Sequence, residues 1–170
     1  MTEPEIDQLR LKGGYVAGRA QIRDVRAHKL AATLKDPVEN FGLSYELQPS
    51  VSTAYDESDS EDLSFVIEAE YALQIKQLTR ELGDDEEPAP EDFTDLATVE
   101  VTVAGLFTLD LVEDDRRPAT EEVEAYSRST GLFALHPYAR EQIANLTSRI
   151  GLPTLTIGVL HMGTGQVADQ

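Results

Sequence analysis

From Leu63 the chain alternates apolar and polar side chains: Leu63, Phe65, Ile67, Ala69, Tyr71, Leu73 and Ile75 against Ser64, Glu68, Glu70, Gln74 and Lys76. A period of two marks a strand with one dry face. The pattern recurs at Val99, Val101, Val103, Phe107, Leu109 and Leu111, against Thr98, Glu100, Thr102, Thr108 and Asp110. A third run reads Leu43, Tyr45, Leu47, Pro49, Val51, Thr53, Tyr55. Pro49 donates no hydrogen bond, so this strand is an edge or is broken there. A fourth, from Gln21 to Leu34, has a less regular phase, with Val25 on one face and Ile22, Leu30 and Leu34 on the other, which predicts a bulge. Several of these runs reach about fifteen residues, about 50 Å at ~3.3 Å per residue.

After Pro118 the period lengthens. Thr120 reads as an N-cap, Glu121, Glu122 and Glu124 suit the positive end of a helix, and Gly131 reads as its stop. A second helix begins with Pro137 at its first position and carries Tyr138, Ala139, Ile143, Leu146 and Ile150 at helical spacing. Gly151 and Pro153 end it. An apolar stretch, Leu155 to Leu160, follows, and then a loose tail from Met162. Asp7 to Arg19 reads as a short helix weakened by Gly13 and Gly14. Strands first and helices last give an α+β fold: a four-stranded antiparallel sheet with two C-terminal helices packed on one face.

With 170 residues, 41% apolar and 27% charged, the chain has the makeup of one globular domain. Charge adds a second pattern. Residues 51–125 hold 23 acids against four bases, whereas 1–50 hold seven of each. The acids gather at Asp56 to Asp62, Asp84 to Asp95 and Glu113 to Glu124, between the apolar runs where turns belong. They read either as solvated loops or as a surface for a basic partner. A net charge of −18 argues against binding to nucleic acid or anionic membranes. No apolar run reaches the length of a membrane span, and the acidic start does not resemble a signal peptide, so a cytoplasmic protein is expected.

Candidate chemistry is sparse. Without cysteine there are no disulfides, thiolate metal sites or cysteine nucleophiles. His28, His136 and His161 lie far apart and form no zinc pattern, and His136, before Pro137, reads as a capping or packing residue. No acidic cluster follows calcium-loop spacing, no serine sits in a Gly-x-Ser-x-Gly elbow, and Gly163-Thr164-Gly165 lacks the lysine and helix of a phosphate cradle. No enzyme, metal or cofactor is expected.

The segment Phe133-Ala134-Leu135-His136-Pro137-Tyr138-Ala139-Arg140-Glu141-Gln142-Ile143, continued by Leu146-Thr147-Ser148-Arg149 and Leu152-Pro153-Thr154-Leu155, resembles the C-terminal signature of the SecB chaperone family, with its Pro-Tyr-Ala-Arg-Glu core. Leu47-Gln48-Pro49-Ser50-Val51 resembles the family's motif after its crossover loop, with Leu47 where SecB has tryptophan. Gly105-Leu106-Phe107 resembles the Gly-x-Phe of the last strand. Arg19 to Arg26 is similar to the first strand of the SecB-like chaperones encoded beside toxin–antitoxin pairs.

The resemblance divides the chain into an N-terminal extension (1–18), a SecB-like chaperone domain (19–160) and a flexible tail (161–170). It implies a homotetramer, a dimer of dimers, that binds non-native polypeptides or preproteins without ATP in long apolar grooves between the main helix and the crossover. Phe41, Leu43, Tyr45, Leu47, Leu135, Tyr138, Ile143 and Leu146 are the candidate groove residues. For Phe41, Tyr45 and Tyr138 the residues alone leave groove and core packing both open. An antitoxin and the export motor SecA are the partners implied. In SecB, docking on SecA uses acidic residues of the sheet face and a C-terminal tail; here the first strand carries Arg23, Arg26 and Lys29, and the tail has no likeness. The acidic middle offers another surface for SecA, while the first-strand likeness points to an antitoxin, so both partners stay open. An acidic adaptor or nucleic-acid mimic is the competing reading.

Overall fold

The structure, a computed structural model, describes residues 3–38, 42–58, 63–83, 87–113 and 115–158. Helix α1 (Glu3–Ala17) leads into strands β1 (Ala20–Leu34), β2 (Leu43–Ala54), β3 (Ser64–Leu78) and β4 (Phe93–Leu109). A helical run then passes through α2 (Thr120–Tyr126), a π turn (Ser127–Gly131) and α3 (Leu132–Arg149). The four strands form one antiparallel sheet in the order β1-β4-β3-β2. Both edges are therefore occupied by consecutive strands, joined by a connection of which residues 35–38 and 42 are described. It is pinned on the way: Lys35 N–H donates to Leu96 O at 2.8 Å, Leu78 N–H to Gly42 O at 3.0 Å, and the Gln77 side-chain amide to Pro37 O at 3.0 Å.

The alternation of β3 and β4 lands as its period requires. Phe65, Ile67, Ala69, Tyr71, Leu73 and Ile75 stand opposite Phe107, Gly105, Val103, Val101, Val99 and Ala97, all buried on the helix side. β2 is an unbroken edge strand, and Pro49 stands opposite Tyr71 where a sheet tolerates a missing N–H. In β1, two register shifts fall between Ile22 and Asp24 and between Ala27 and Lys29. Each bulge adds a residue, so Ile22, Val25, Ala27, Leu30, Ala32 and Leu34 all oppose helix-side residues of β4. Val25 thus shares a face with Ile22, Leu30 and Leu34, which simple alternation had placed opposite it.

The two C-terminal helices are one continuous run. Gly131 has helical dihedrals (φ −62°) and does not end it. A Cβ there would come within 2.4 Å of Ile67 Cδ1, so the glycine lets the π turn lie on β3. Within the turn, Ser127 and Ser129 return their hydroxyls to Val123 O and Ala125 O. Pro137 lies inside α3 rather than at its first position, because the helix propagates from upstream. Thr120 is the first helical residue, and the cap position belongs to Ala119. The free N–H groups are taken by carboxylates: Glu122 accepts from Ala119 N–H at 2.9 Å, and Glu57 accepts from the Thr120 N–H and hydroxyl at 2.8 and 2.9 Å. Gly151, at φ +82°, provides the stop.

Helix α1 is longer than its sequence suggested and docks on α2, with Val16 in the core. Arg19 and Arg116 flank the Tyr15 ring at 3.9 and 4.3 Å. Arg19 pairs with Asp115 and Arg116 with Glu122, tying α1 to the start of α2.

Candidate functional site along helix α3

Helix α3 lies over β4, with β3 and β1 on its flanks. Leu135, Ala139 and Ile143 follow one another along its buried stripe, and Leu135 sits where any side chain on Gly105 would intrude. His136 and Thr147 border the stripe on the β3 side. Past Gly151 the chain turns back and runs antiparallel to α3. Leu155 N–H donates to Thr147 Oγ1 at 3.2 Å, and His136 Nε2 donates to Gly158 O at 3.0 Å. That bond fixes the neutral tautomer, so His136 Nδ1 accepts the buried Tyr71 hydroxyl at 3.2 Å. The returning segment sinks Leu152 and Ile157 into the core and half-buries Leu155.

The other flank is more open. Ile22, Leu30 and Leu34 line the helix side of edge strand β1 and stay 41%, 46% and 41% exposed. At about 100° per residue, Tyr138 turns away from His136 and the returning segment, whereas Leu146 falls in line with Leu135 and Ala139 and packs against the core. Tyr138 is 45% exposed and Leu146 half-buried. Exposed aliphatics gathered on one flank of a small domain are the signature of a binding surface.

The residues expected to line a groove are thus divided. Leu43, Tyr45 and Leu47 stand in a row on the helix side of β2, opposite Gln77, Ile75 and Leu73, exposed to half-buried. Tyr138 borders the opposite flank, and Leu146 sits half-buried at the end of the stripe that packs on the core. Leu135 and Ile143 have no exposed surface; α3 presses both into the core. Phe41 lies outside the described residues. Sequence reasoning missed Thr147, Tyr71 and the buried hydrogen-bonding role of His136. Their only signal was polar identity beside an apolar stripe. It also missed Ile22, Leu30 and Leu34 as a set, which the bulges had put out of phase.

Electrostatics are spent on holding loops. Arg80 keeps the Asp92 carboxyl below the ordinary carboxylate range, helped by the Ala89 N–H; Arg19 does the same for Asp115 and Arg116 for Glu122. Lys35 and Gln74 lower Asp95, and the Thr120 N–H and hydroxyl lower Glu57. Burial pushes His136 down from 6.5, only partly offset by its bond to Gly158 O. Among the described residues, no three His, Asp or Glu side chains assemble into a metal site, and no helix is long and apolar enough to cross a membrane.

These shifts predict acid destabilisation in two stages. His136 is held neutral, so the unfolded chain takes up its proton first. Its contribution is complete above pH 6.5 and is lost as pH falls through the lower folded value. The paired carboxylates contribute fully above their ordinary values, 3.8 for Asp and 4.5 for Glu, and are lost as pH falls through lower folded values. Chemical denaturation across pH should show wild-type stability beginning to decline just below 6.5. His136→Phe should remove that first decline and keep the second.

No family model matches the chain. The SecB-like chaperone Rv1957 of Mycobacterium tuberculosis strain H37Rv is 34% identical over 160 residues, covering 94% of this chain and 87% of the relative. SecB-like chaperone MT2006, from strain CDC 1551, matches to the same extent. The chain belongs to the SecB-like chaperone family. A solved structure of Rv1957 in complex with a ChAD peptide from the Rv1956 HigA1 antitoxin superposes with a TM-score of 0.74 at 32% identity, covering 91% of this chain and 99% of that one. The SecB-like chaperone described here shares that α+β architecture across nearly its full length.

Proposed function

We propose that this SecB-like chaperone is an ATP-independent holdase that keeps non-native polypeptides, an antitoxin among them, unfolded along the apolar flanks of α3. The observation that carries the reading is the likeness to Rv1957, a relative solved with an antitoxin peptide bound. The uncovered aliphatics beside α3 support it physically, because burying them against a client's side chains contributes roughly 25 cal/mol per Å² without requiring a particular sequence. The exposed edge strand β1, which carries Ile22, Leu30 and Leu34 on its helix side, also suits assembly into the homotetramer that the SecB family implies. Several sites on one assembly would strengthen binding through avidity.

On the sheet's open face, β1 pairs Arg26 with Asp24 and Lys29 with Glu100. This mixed surface differs from the acidic one that SecB offers to SecA, which favours an antitoxin over preprotein handover.

The test is light scattering by a chemically unfolded client diluted into buffer without nucleotide. Suppression at near-stoichiometric ratios, persisting when salt is raised, is the expected result. Suppression that vanishes with salt would instead indicate the acidic loops acting as a mimic or adaptor. No suppression at any ratio would end the holdase reading. Gel filtration should find the tetramer; a stable monomer would remove the avidity argument.

A further inference from the structure

The chain's own segment 152–158 has the features of a bound client. It has no helix and no strand partner. Leu152 is buried, Pro153 and Thr154 are exposed, and from there burial alternates: Leu155 half-buried, Thr156 exposed, Ile157 fully buried, Gly158 exposed. After the Leu152 N–H, which bonds Thr147 O, its backbone is held by side chains rather than by a ladder, through Thr147 Oγ1 on the Leu155 N–H and His136 Nε2 on the Gly158 carbonyl. Both of those side chains are buried. A side chain that bonds a passing backbone reads no sequence, and a pocket taking Leu or Ile reads only hydrophobicity. Together they suit any extended segment with apolar side chains at alternate positions.

We propose that residues 152–158 are an internal occupant of the client furrow on the β3 side of α3, displaced when a client enters. His136 and Thr147 are then the backbone contacts of the incoming chain. The proposal rests on the holdase reading and specifies how that site is regulated. Displacement has no sheet ladder to break. Beyond Gly151 the segment is anchored by one backbone bond, Leu152 N–H to Thr147 O at 3.1 Å, by two side-chain hydrogen bonds, and by the burial of Leu152 and Ile157 with Leu155 half-buried, so a client must replace that apolar burial with its own. A client must outcompete this occupant, so weakly apolar chains are rejected and strongly apolar ones admitted.

The probe is a fluorescent heptapeptide with the sequence of residues 152–158, Leu-Pro-Thr-Leu-Thr-Ile-Gly, titrated against the full chain. The Leu155→Ser/Ile157→Ser double variant, checked for a cooperative unfolding transition, should bind the peptide at least tenfold more tightly than wild type. Equal or weaker binding would make the segment a fixed wall and overturn the proposal. A second measurement needs no variant: hydrogen exchange of the Leu155 amide, protected by Thr147, should accelerate when wild type is saturated with an unfolded client. Unchanged protection would likewise overturn it. The holdase reading is tested separately by aggregation suppression in wild type. If suppression is present with an unmoved segment, only this inference fails; if peptide binding is enhanced without suppression, only the holdase reading fails.

Discussion

Phe107→Ala should cost about 3–5 kcal/mol of unfolding free energy, the range for truncating a buried aromatic. Phe107 has no exposed surface. It stacks on Phe65 with centroids 5.2 Å apart and planes 12° from parallel, and Tyr126 meets both rings edge-on at 5.9 Å. The cluster joins β3, β4 and the end of α2, so it fastens the helical run to the sheet just where the π turn begins. A loss of that size is a large share of the ~5–15 kcal/mol that holds a typical domain together. The neighbouring Leu106 supplies the control. It points to the sheet's open face, is 38% exposed, and Leu106→Ala should cost about 1 kcal/mol or less. Denaturant midpoints of the two variants decide the matter: equal losses would mean that β4 does not present alternate residues to core and solvent.

That contrast between neighbours was legible in the sequence because β3 and β4 alternate in step from Ser64 to Ile75 and from Ala97 to Thr108, up to the register shift beside Lys76. β1 was less legible for a physical reason. A bulge shifts the phase by one residue, and two of them disguised six helix-facing residues as a mixed strand. Glycine misled in a similar way. Gly131 and Gly151 look alike on paper, yet only Gly151 takes the left-handed turn, while Gly131 is chosen for its nearness to Ile67. That distinction depends on tertiary contact. Helical spacing finds the apolar stripe of α3, but the stripe is the face that packs. Leu135 and Ile143 therefore became core, and the polar His136 and Thr147 beside them were buried with them.

The acidic loops show the same limit of one-dimensional reading. Composition presented 23 carboxylates as a single field. The fold gives several of them separate structural tasks, with Glu57 and Glu122 capping α2, Asp115 holding Arg19, and Asp92 closing the 80–92 loop on Arg80. A carboxylate engaged with an internal donor is poorly placed to imitate a phosphate backbone, which weakens the mimic reading.

The second large effect concerns two adjacent glycines of α1, for which opposite outcomes are expected. A Cβ on Gly13 would lie 2.7 Å from Tyr126 N and 2.8 Å from its Cα. These are backbone atoms of the facing helix and cannot swing aside as a flexible side chain would. Gly13→Val should therefore push α1 away from α2 at a cost of about 2–3 kcal/mol, in the range of overpacking. A Cβ on Gly14 meets nothing within 4 Å, so Gly14→Ala removes a helix-weakening glycine without a clash and should stabilise by up to about 1 kcal/mol. Thermal melts of the two variants should move in opposite directions. In Gly13→Val, proteolysis should cut first within α1, because Val16 and the Tyr15 ring between Arg19 and Arg116 lose their seat together. If both variants were stabilised alike, α1 would be a helix resting loosely on the domain; opposite shifts make it a built part of the platform that carries α3.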